Sequence, residues 1–203
     1  MDLVKGYRFF SADECKKVIR YCDEKEKQML KFHQVLVDKG ESTHNEKIPI
    51  TQRYHSEYNF FGENPEYVPK LLACIREVLP GLEFPIAVQA WVNIYRKGQG
   101  IMWHTHGGKN GYSYSANVFL GGETKPGIFY SVNPNDTYNI ENELGSMHIF
   151  PHSLNHMVPP SETKLKRYTL GITMHGLQAI DKPLIQGAAL DRNHRETIFL
   201  SGD

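Results

Sequence analysis

The spacing of apolar and polar residues changes once along this chain, near residue 84. Before that point the rhythm is helical. Ser11 precedes Ala12-Asp13-Glu14-Cys15, placing a capping side chain ahead of two acids in a first turn, where the helix dipole favours them. Cys15, Val18, Ile19 and Cys22 then recur at three- and four-residue intervals, which predicts an amphipathic helix reaching about Lys31. Residues 38–47 are polar, contain Gly40, Ser42 and Asn45, and read as a loop. Residues 49–61 are aromatic and partly alternating, like a strand. Asn64-Pro65 opens a second helix with Val68, Leu71, Leu72, Ile75 and Val78 on one face, closed by Pro80-Gly81.

Beyond residue 84 the pattern becomes short runs of β-type residues at about 84–96, 101–106, 112–120, 127–132, 137–141, 146–150 and 166–175. Turn residues separate them: Gly107-Gly108, Asn110-Gly111, Gly121-Gly122, Pro126-Gly127, Asn133-Pro134-Asn135-Asp136 and Pro159-Pro160. Evenly spaced short strands with such turns predict a sandwich or jelly roll, with the two helices packed on one sheet. The tail carries weak strand signals at Thr197-Ile198-Phe199-Leu200. No repeat or linker divides the chain. The expectation is one mainly β (α+β) domain over 1–203: helical support over about 1–82, a jelly-roll core over about 83–176, and a C-terminal extension over 177–203.

Composition narrows the function more than the fold. The 203 residues include 23 basic and 23 acidic side chains, so the formal charge is zero. That argues against nucleic acid or an anionic membrane as the main partner. No apolar run reaches membrane-spanning length. Cys15, Cys22 and Cys74 are odd in number and lie in helical segments, so they read as free thiols packed in a core, in a reducing, cytoplasmic compartment.

Histidine is the unusual residue, with ten in the chain. His104 and His106 end an apolar run, beside a glycine-rich loop. On a strand, residues two apart point to one side, so both rings can aim at one point, which is half a metal site. His148, His152 and His156 are spaced by four, but Pro151 interrupts the segment and excludes a helical ladder, since proline inside a helix costs about 3 kcal/mol. The segment reads as strand, turn, strand. There His156 supplies a third imidazole, His148 is structural, and His152 can also approach a metal. Arg167 follows on an apolar strand, where a buried charge needs a partner. That partner is either one of the chain's carboxylates or the carboxylate of a ligand, which a planar guanidinium suits well. Thr169 shares its face.

In order and spacing these residues resemble the iron(II)/2-oxoglutarate-dependent oxygenases, in particular the prolyl-hydroxylase-like group of bacterial and viral type. The likeness covers Asn93-x-Tyr95-x-x-Gly98, His104-x-His106, Gly145 with Phe150-Pro151, His156-x-Val158-Pro159, and Arg167-x-Thr169. Phe10-Ser11-Ala12-Asp13-Glu14-Cys15 is similar to the first helix of that group. The resemblance implies a double-stranded β-helix with Fe(II) on His104, His106 and His156. It places 2-oxoglutarate on Arg167 and Thr169, with Tyr95 and Asn93 beside them. It also implies molecular oxygen, ascorbate as an accessory reductant, and hydroxylation of a substrate with release of succinate and CO2. Candidate substrate contacts are Trp91, Trp103, Tyr112 and Tyr114.

The chain departs from the family pattern at one place: His106 stands where an aspartate or glutamate is usual. Three neutral imidazoles bring no negative charge to the metal, whereas two histidines and a carboxylate bring one. Two other readings therefore stay open: a three-histidine cupin-type metalloenzyme that does not use 2-oxoglutarate, and a non-catalytic jelly-roll binding module. The substrate class is equally open among a peptidyl proline, an amino acid and another small molecule.

Overall fold

The computed structural model describes residues 3–42, 48–106, 113–133, 136–176 and 198–201. After a short strand β1 (Lys5–Arg8), helix α1 (Ala12–Asp38) begins with a reciprocal cap. Glu14 N donates to Ser11 Oγ, and Ser11 N donates to Glu14 Oε2. The helix runs seven residues beyond Lys31 because its buried stripe continues through Met29 and His33. It stops at Gly40, whose φ of 73° lets Gly40 N bond Val37 O and Glu41 N bond Leu36 O. The glycine that marks a loop in the sequence is thus the helix terminator.

The strand expected over 49–61 is absent. The segment forms two short helices, α2 (Ile50–Arg53) and α3 (Phe60–Glu63), with a single 3-10 turn between them. Its aromatic residues do not alternate between two faces of a sheet. Tyr58, Phe60 and Phe61 all enter the core. Tyr58 Oη also donates toward Val92 O at 3.3 Å and accepts from Val92 N at 3.1 Å, while Asn59 Nδ2 donates to Val88 O at 2.9 Å. Side chains here satisfy strand backbone that a further strand would otherwise pair. Helix α4 (Val68–Val78) follows a 3-10 turn at Pro65–Tyr67, close to its expected place.

The remaining elements are β2 (Ile86–Tyr95), β3 (Ile101–His104), β4 (Ser113–Gly122), β5 (Ile128–Asn133), β6 (Asp136–Ile140), β7 (Ser146–Pro151), β8 (Asn155–Val158), β9 (Arg167–Gly176) and β10 (Ile198–Leu200). They make a six-stranded sheet in the order β1-β7-β4-β9-β2-β10 and a four-stranded sheet in the order β3-β8-β5-β6. Every pairing between these strands is antiparallel. This is the expected jelly roll, with the helices on one sheet.

Strand alternation separates two interiors. Ile86, Val88, Ala90, Val92 and Ile94 of β2, with Leu170, Ile172 and Met174 of β9, pack against the helices and bury Cys15, Cys22 and Cys74 as free thiols. The opposite face of the large sheet looks toward the small sheet, where a second cluster gathers Tyr95, Ile128, Tyr130, Phe150, Leu154 and Val158. The alternate residues of β9 on that face are Arg167, Thr169, Gly171 and Thr173. An interior lined this way can hold chemistry, because its polar groups come from rigid strands.

Candidate metal centre

His104 and His156 are direct partners in the β3–β8 pair, and their ring centroids lie 4.2 Å apart. His106, two residues past His104, is tied by its backbone N–H to His152 O at 3.0 Å. Its ring centroid stands 5.0 Å from that of His104 and 5.1 Å from that of His156. One ligand nitrogen from each of the three rings lies within 4.8 Å of the others. Among the described residues the expected trio is therefore convergent.

The tautomers follow from backbone contacts. His104 Nδ1 lies 2.8 Å from Met102 O, and His156 Nδ1 lies 2.9 Å from Leu154 O. A carbonyl only accepts, so each Nδ1 carries the proton and each Nε2 keeps its lone pair. Such a contact on the far nitrogen is how metal-binding imidazoles are oriented. Phe150 lies edge-on to His156 at 4.6 Å and Tyr130 stacks near it at 6.3 Å, which restrains the ring. Burial, outweighing the contact with Leu154, lowers the His156 pKa to about 3, with help from His104 and His106. Protein packed around the ring, followed by His104 and His152, pushes His106 the same way, although its residue surface remains exposed at the rim. Held neutral in this way, His106 and His156 keep their lone pairs free for a cation.

The pocket around these rings is also lined by Gln52, Trp91, Asn93, Ser115 and Asn117. Gly171 lets Trp91 lie close: a Cβ there would stand 2.9 Å from the indole. Asn93 connects the pocket to the neighbouring strand, donating from Nδ2 to Thr169 Oγ1 at 3.4 Å. One rung further, Tyr95 faces Arg167 in the β2–β9 pair, with the guanidinium 5.9 Å from the ring centroid.

Arg167 is 1% exposed. Its Nη2 donates to Glu123 Oε2 at 3.1 Å, so of the two kinds of partner open from the sequence a carboxylate of the chain reaches it. Glu123 is itself buried, and its carboxyl is held below the usual carboxylate range: burial would raise it, but surrounding donors and the charge of Arg167 prevail. One contact does not exhaust the guanidinium. Arg167 Nε and Nη1 are buried with no hydrogen-bond partner, as are the hydroxyls of Tyr95 and Tyr130. Tyr95 Oη is near enough to Thr169 to be influenced by it, but no well-formed hydrogen bond joins them. Unsatisfied buried donors are costly, and an anion's oxygens are one kind of partner that would satisfy them.

The proposed substrate contacts divide. Trp91 lines the pocket. Tyr114 does not: by strand alternation it falls on the other face of β4 and packs against the helix-side core. Trp103 is 39% exposed and outside the pocket lining, because it neighbours His104 on β3 and points the other way. Tyr112 lies outside the described residues, as do 43–47 of the polar loop and 107–111 of the glycine-rich loop after His106. His148 is buried near Tyr130, away from the trio, in keeping with a structural role. Glu123, Tyr130, Gln52 and Ser115 escaped the sequence reading. Tyr130 and Ser115 had a usable signal, their inward parity on predicted strands.

No protein-family model matches the chain, and no curated protein matches it. Solved structures do. The nickel complex of ThoJ, described as a non-heme monooxygenase, aligns with a TM-score of 0.62 at 13% identity over 86% of this chain and 74% of its own. A prolyl-4-hydroxylase from Pseudomonas putida aligns with a TM-score of 0.52 at 15% identity, over 85% of this chain and 92% of its own. HygX from Streptomyces hygroscopicus, solved with nickel and 2-oxoglutarate bound, aligns with a TM-score of 0.55 at 12% identity, over 85% and 81%. The double-stranded β-helix of this chain, with its N-terminal helices, is the fold of these solved structures.

Proposed function

We propose that this protein is an Fe(II)- and 2-oxoglutarate-dependent oxygenase that hydroxylates a small-molecule or peptide substrate, an amino acid or a peptidyl proline among them. One observation carries the reading: three convergent imidazoles share an interior with a buried arginine that retains two unpaired N–H-bearing nitrogens. The donor set fits both groups. His104, His106 and His156 would hold Fe(II). Arg167, Tyr95 and Thr169 would receive the far carboxylate of 2-oxoglutarate, with Asn93 holding Thr169 in place. When bound, Fe(II) and 2-oxoglutarate supply the oxidative chemistry that yields succinate and CO2 and inserts an oxygen atom into a C–H bond.

The chain supplies orientation, charge and exclusion of water. Met102 O and Leu154 O keep the protons of His104 and His156 on Nδ1, so Nε2 faces the centre. Arg167, on a central strand, offers a fixed planar cation. Phe150, Ile128 and Val158 keep the wall between them apolar. Ascorbate would serve as the accessory reductant. The HygX complex supports the assignment by likeness of fold.

The Glu123 contact favours a second reading, a three-histidine metalloenzyme in which Arg167 is structural and 2-oxoglutarate has no place. One assay separates the two: succinate formation from 2-oxoglutarate by the Fe(II) protein with ascorbate, in air, without added substrate. Slow succinate release above a His156→Ala control supports the oxygenase. Its absence, together with no binding of 2-oxoglutarate to the metal-loaded protein, leaves the second reading.

The single-domain organisation over 1–203 belongs to this proposal too, with one core serving the helices and the large sheet. Among the described residues, no helix is long and apolar enough to cross a membrane.

A further inference from the structure

His106 and Glu123 are each unusual for the same reason. The trio around the metal position contains no carboxylate, whereas the buried arginine has one of its own. Glu123 is held firmly where it is. It follows Gly122, whose φ is 92° and whose Cβ, if present, would lie 1.7 Å from Lys166 O, so a glycine is required for β4 to close on β9 at this point. Glu123 N donates to Lys166 O at 3.3 Å, Glu123 Oε1 accepts from Thr163 N at 3.2 Å, and Oε2 accepts from Arg167. The side chains of Arg167 and Glu123 are 1% and 5% exposed, so water screens the pair little.

From this geometry we propose that Glu123 is a positioning residue that sets the charge of the cosubstrate pocket, supplying beside Arg167 the negative charge that His106 withholds from the metal. The inference rests on the functional reading above. A divalent metal on three neutral imidazoles brings two positive charges and Arg167 one more. Glu123 removes one, and the remainder matches a dianion. A pocket with a carboxylate at position 106 and no Glu123 would have the same total, distributed differently. Positions 106 and 123 are therefore coupled through the charge of the ligand between them, without touching. Arg167 keeps Nε and Nη1 for the ligand while Nη2 is taken, so Glu123 restrains the anchor and does not block it.

The test uses the full chain, loaded with Ni(II) to equal content, as parent, Glu123→Gln, His106→Asp and the double variant, each titrated with 2-oxoglutarate by calorimetry. One buried unit charge at this range is worth about tenfold or more in a binding constant. Glu123→Gln should bind about tenfold tighter, His106→Asp about tenfold weaker, and the double variant close to the parent. A folded Glu123→Gln that binds equally or more weakly overturns the proposal, since a merely structural partner of Arg167 would give that result. Should Glu123→Gln fail to fold, His106→Asp decides: unchanged or tighter binding overturns the charge account. A metal-free arm separates this proposal from the functional reading. Glutarate, which lacks the keto group, should raise the melting temperature of Glu123→Gln more than that of the parent. A parent that binds no 2-oxoglutarate counts against the oxygenase. Equal glutarate shifts in the two proteins count against Glu123.

Discussion

His104 and His156 meet as direct partners across the β3–β8 pair, their ring centroids 4.2 Å apart. They lie 52 positions apart in the chain, yet one antiparallel register places both rings on the same side of the small sheet. His106 joins them because its backbone is fixed to His152 O. If this trio binds the metal, His104→Ala or His156→Ala should abolish stoichiometric binding of Fe(II) or Ni(II), measured as metal content after reconstitution and desalting. His106→Asp should keep it and His106→Ala should not. Full metal content in both His106 variants would remove His106 from the ligand set.

Arg167→Leu should weaken 2-oxoglutarate binding by about a hundredfold or more, because losing one member of a buried charge pair strands the other at a cost of about 3–5 kcal/mol. The stranded groups here are both the ligand carboxylate and Glu123, so the apo protein should also lose stability. Anaerobic titration of the Fe(II) protein, following its visible charge-transfer band, reads the first effect, and urea denaturation reads the second. Metal affinity should change far less. Equal 2-oxoglutarate affinity in parent and variant would leave Arg167 with a structural role only.

Tyr58→Phe removes one oxygen atom from a buried site while keeping the ring. That oxygen serves both Val92 N and Val92 O. Leaving buried backbone groups unpaired costs about 1–3 kcal/mol. The variant should unfold at correspondingly lower urea with an unchanged slope. An unchanged midpoint would mean that water replaces the hydroxyl.

Burial lowers the His148 pKa below its ordinary value, and His148 Nδ1 has no hydrogen-bond partner. Between the folded value and the ordinary value near 6.5, the unfolded chain binds more protons than the folded one. Stability from this residue is therefore fully present above about pH 6.5 and falls as the pH drops toward the folded value. His148→Leu should show a flatter decline of unfolding free energy between neutral and mildly acidic pH. Parallel curves for parent and variant would contradict the argument.

Gly171→Ala places a Cβ 2.9 Å from the Trp91 indole, too close for both to remain. The indole should move into the pocket, changing tryptophan fluorescence and weakening 2-oxoglutarate binding to the Ni(II) protein. An unchanged spectrum and affinity would show that Trp91 is not held by this contact.

Much of this protein was legible in the order of its residues. The Ser11–Glu14 cap, the three- and four-residue spacing of both long helices and the two-residue alternation after residue 84 are local rules, set by each residue's neighbours in the chain. The His104-x-His106 pair, the later His156 and Arg167 with Thr169 on one strand face were visible for the same reason. What the tertiary structure decided were partnerships between distant positions. The aromatic run at 49–61 became helical turns because Tyr58 and Asn59 are needed to satisfy β2 backbone. Tyr114 turned to the helix-side core because the parity of β4 depends on its pairing with β7 and β9. Glu123, which the sequence does not single out after the two glycines, is buried against an arginine 44 positions away. No local pattern encodes that contact, because it exists only once β4 and β9 lie side by side and exclude water from both charges.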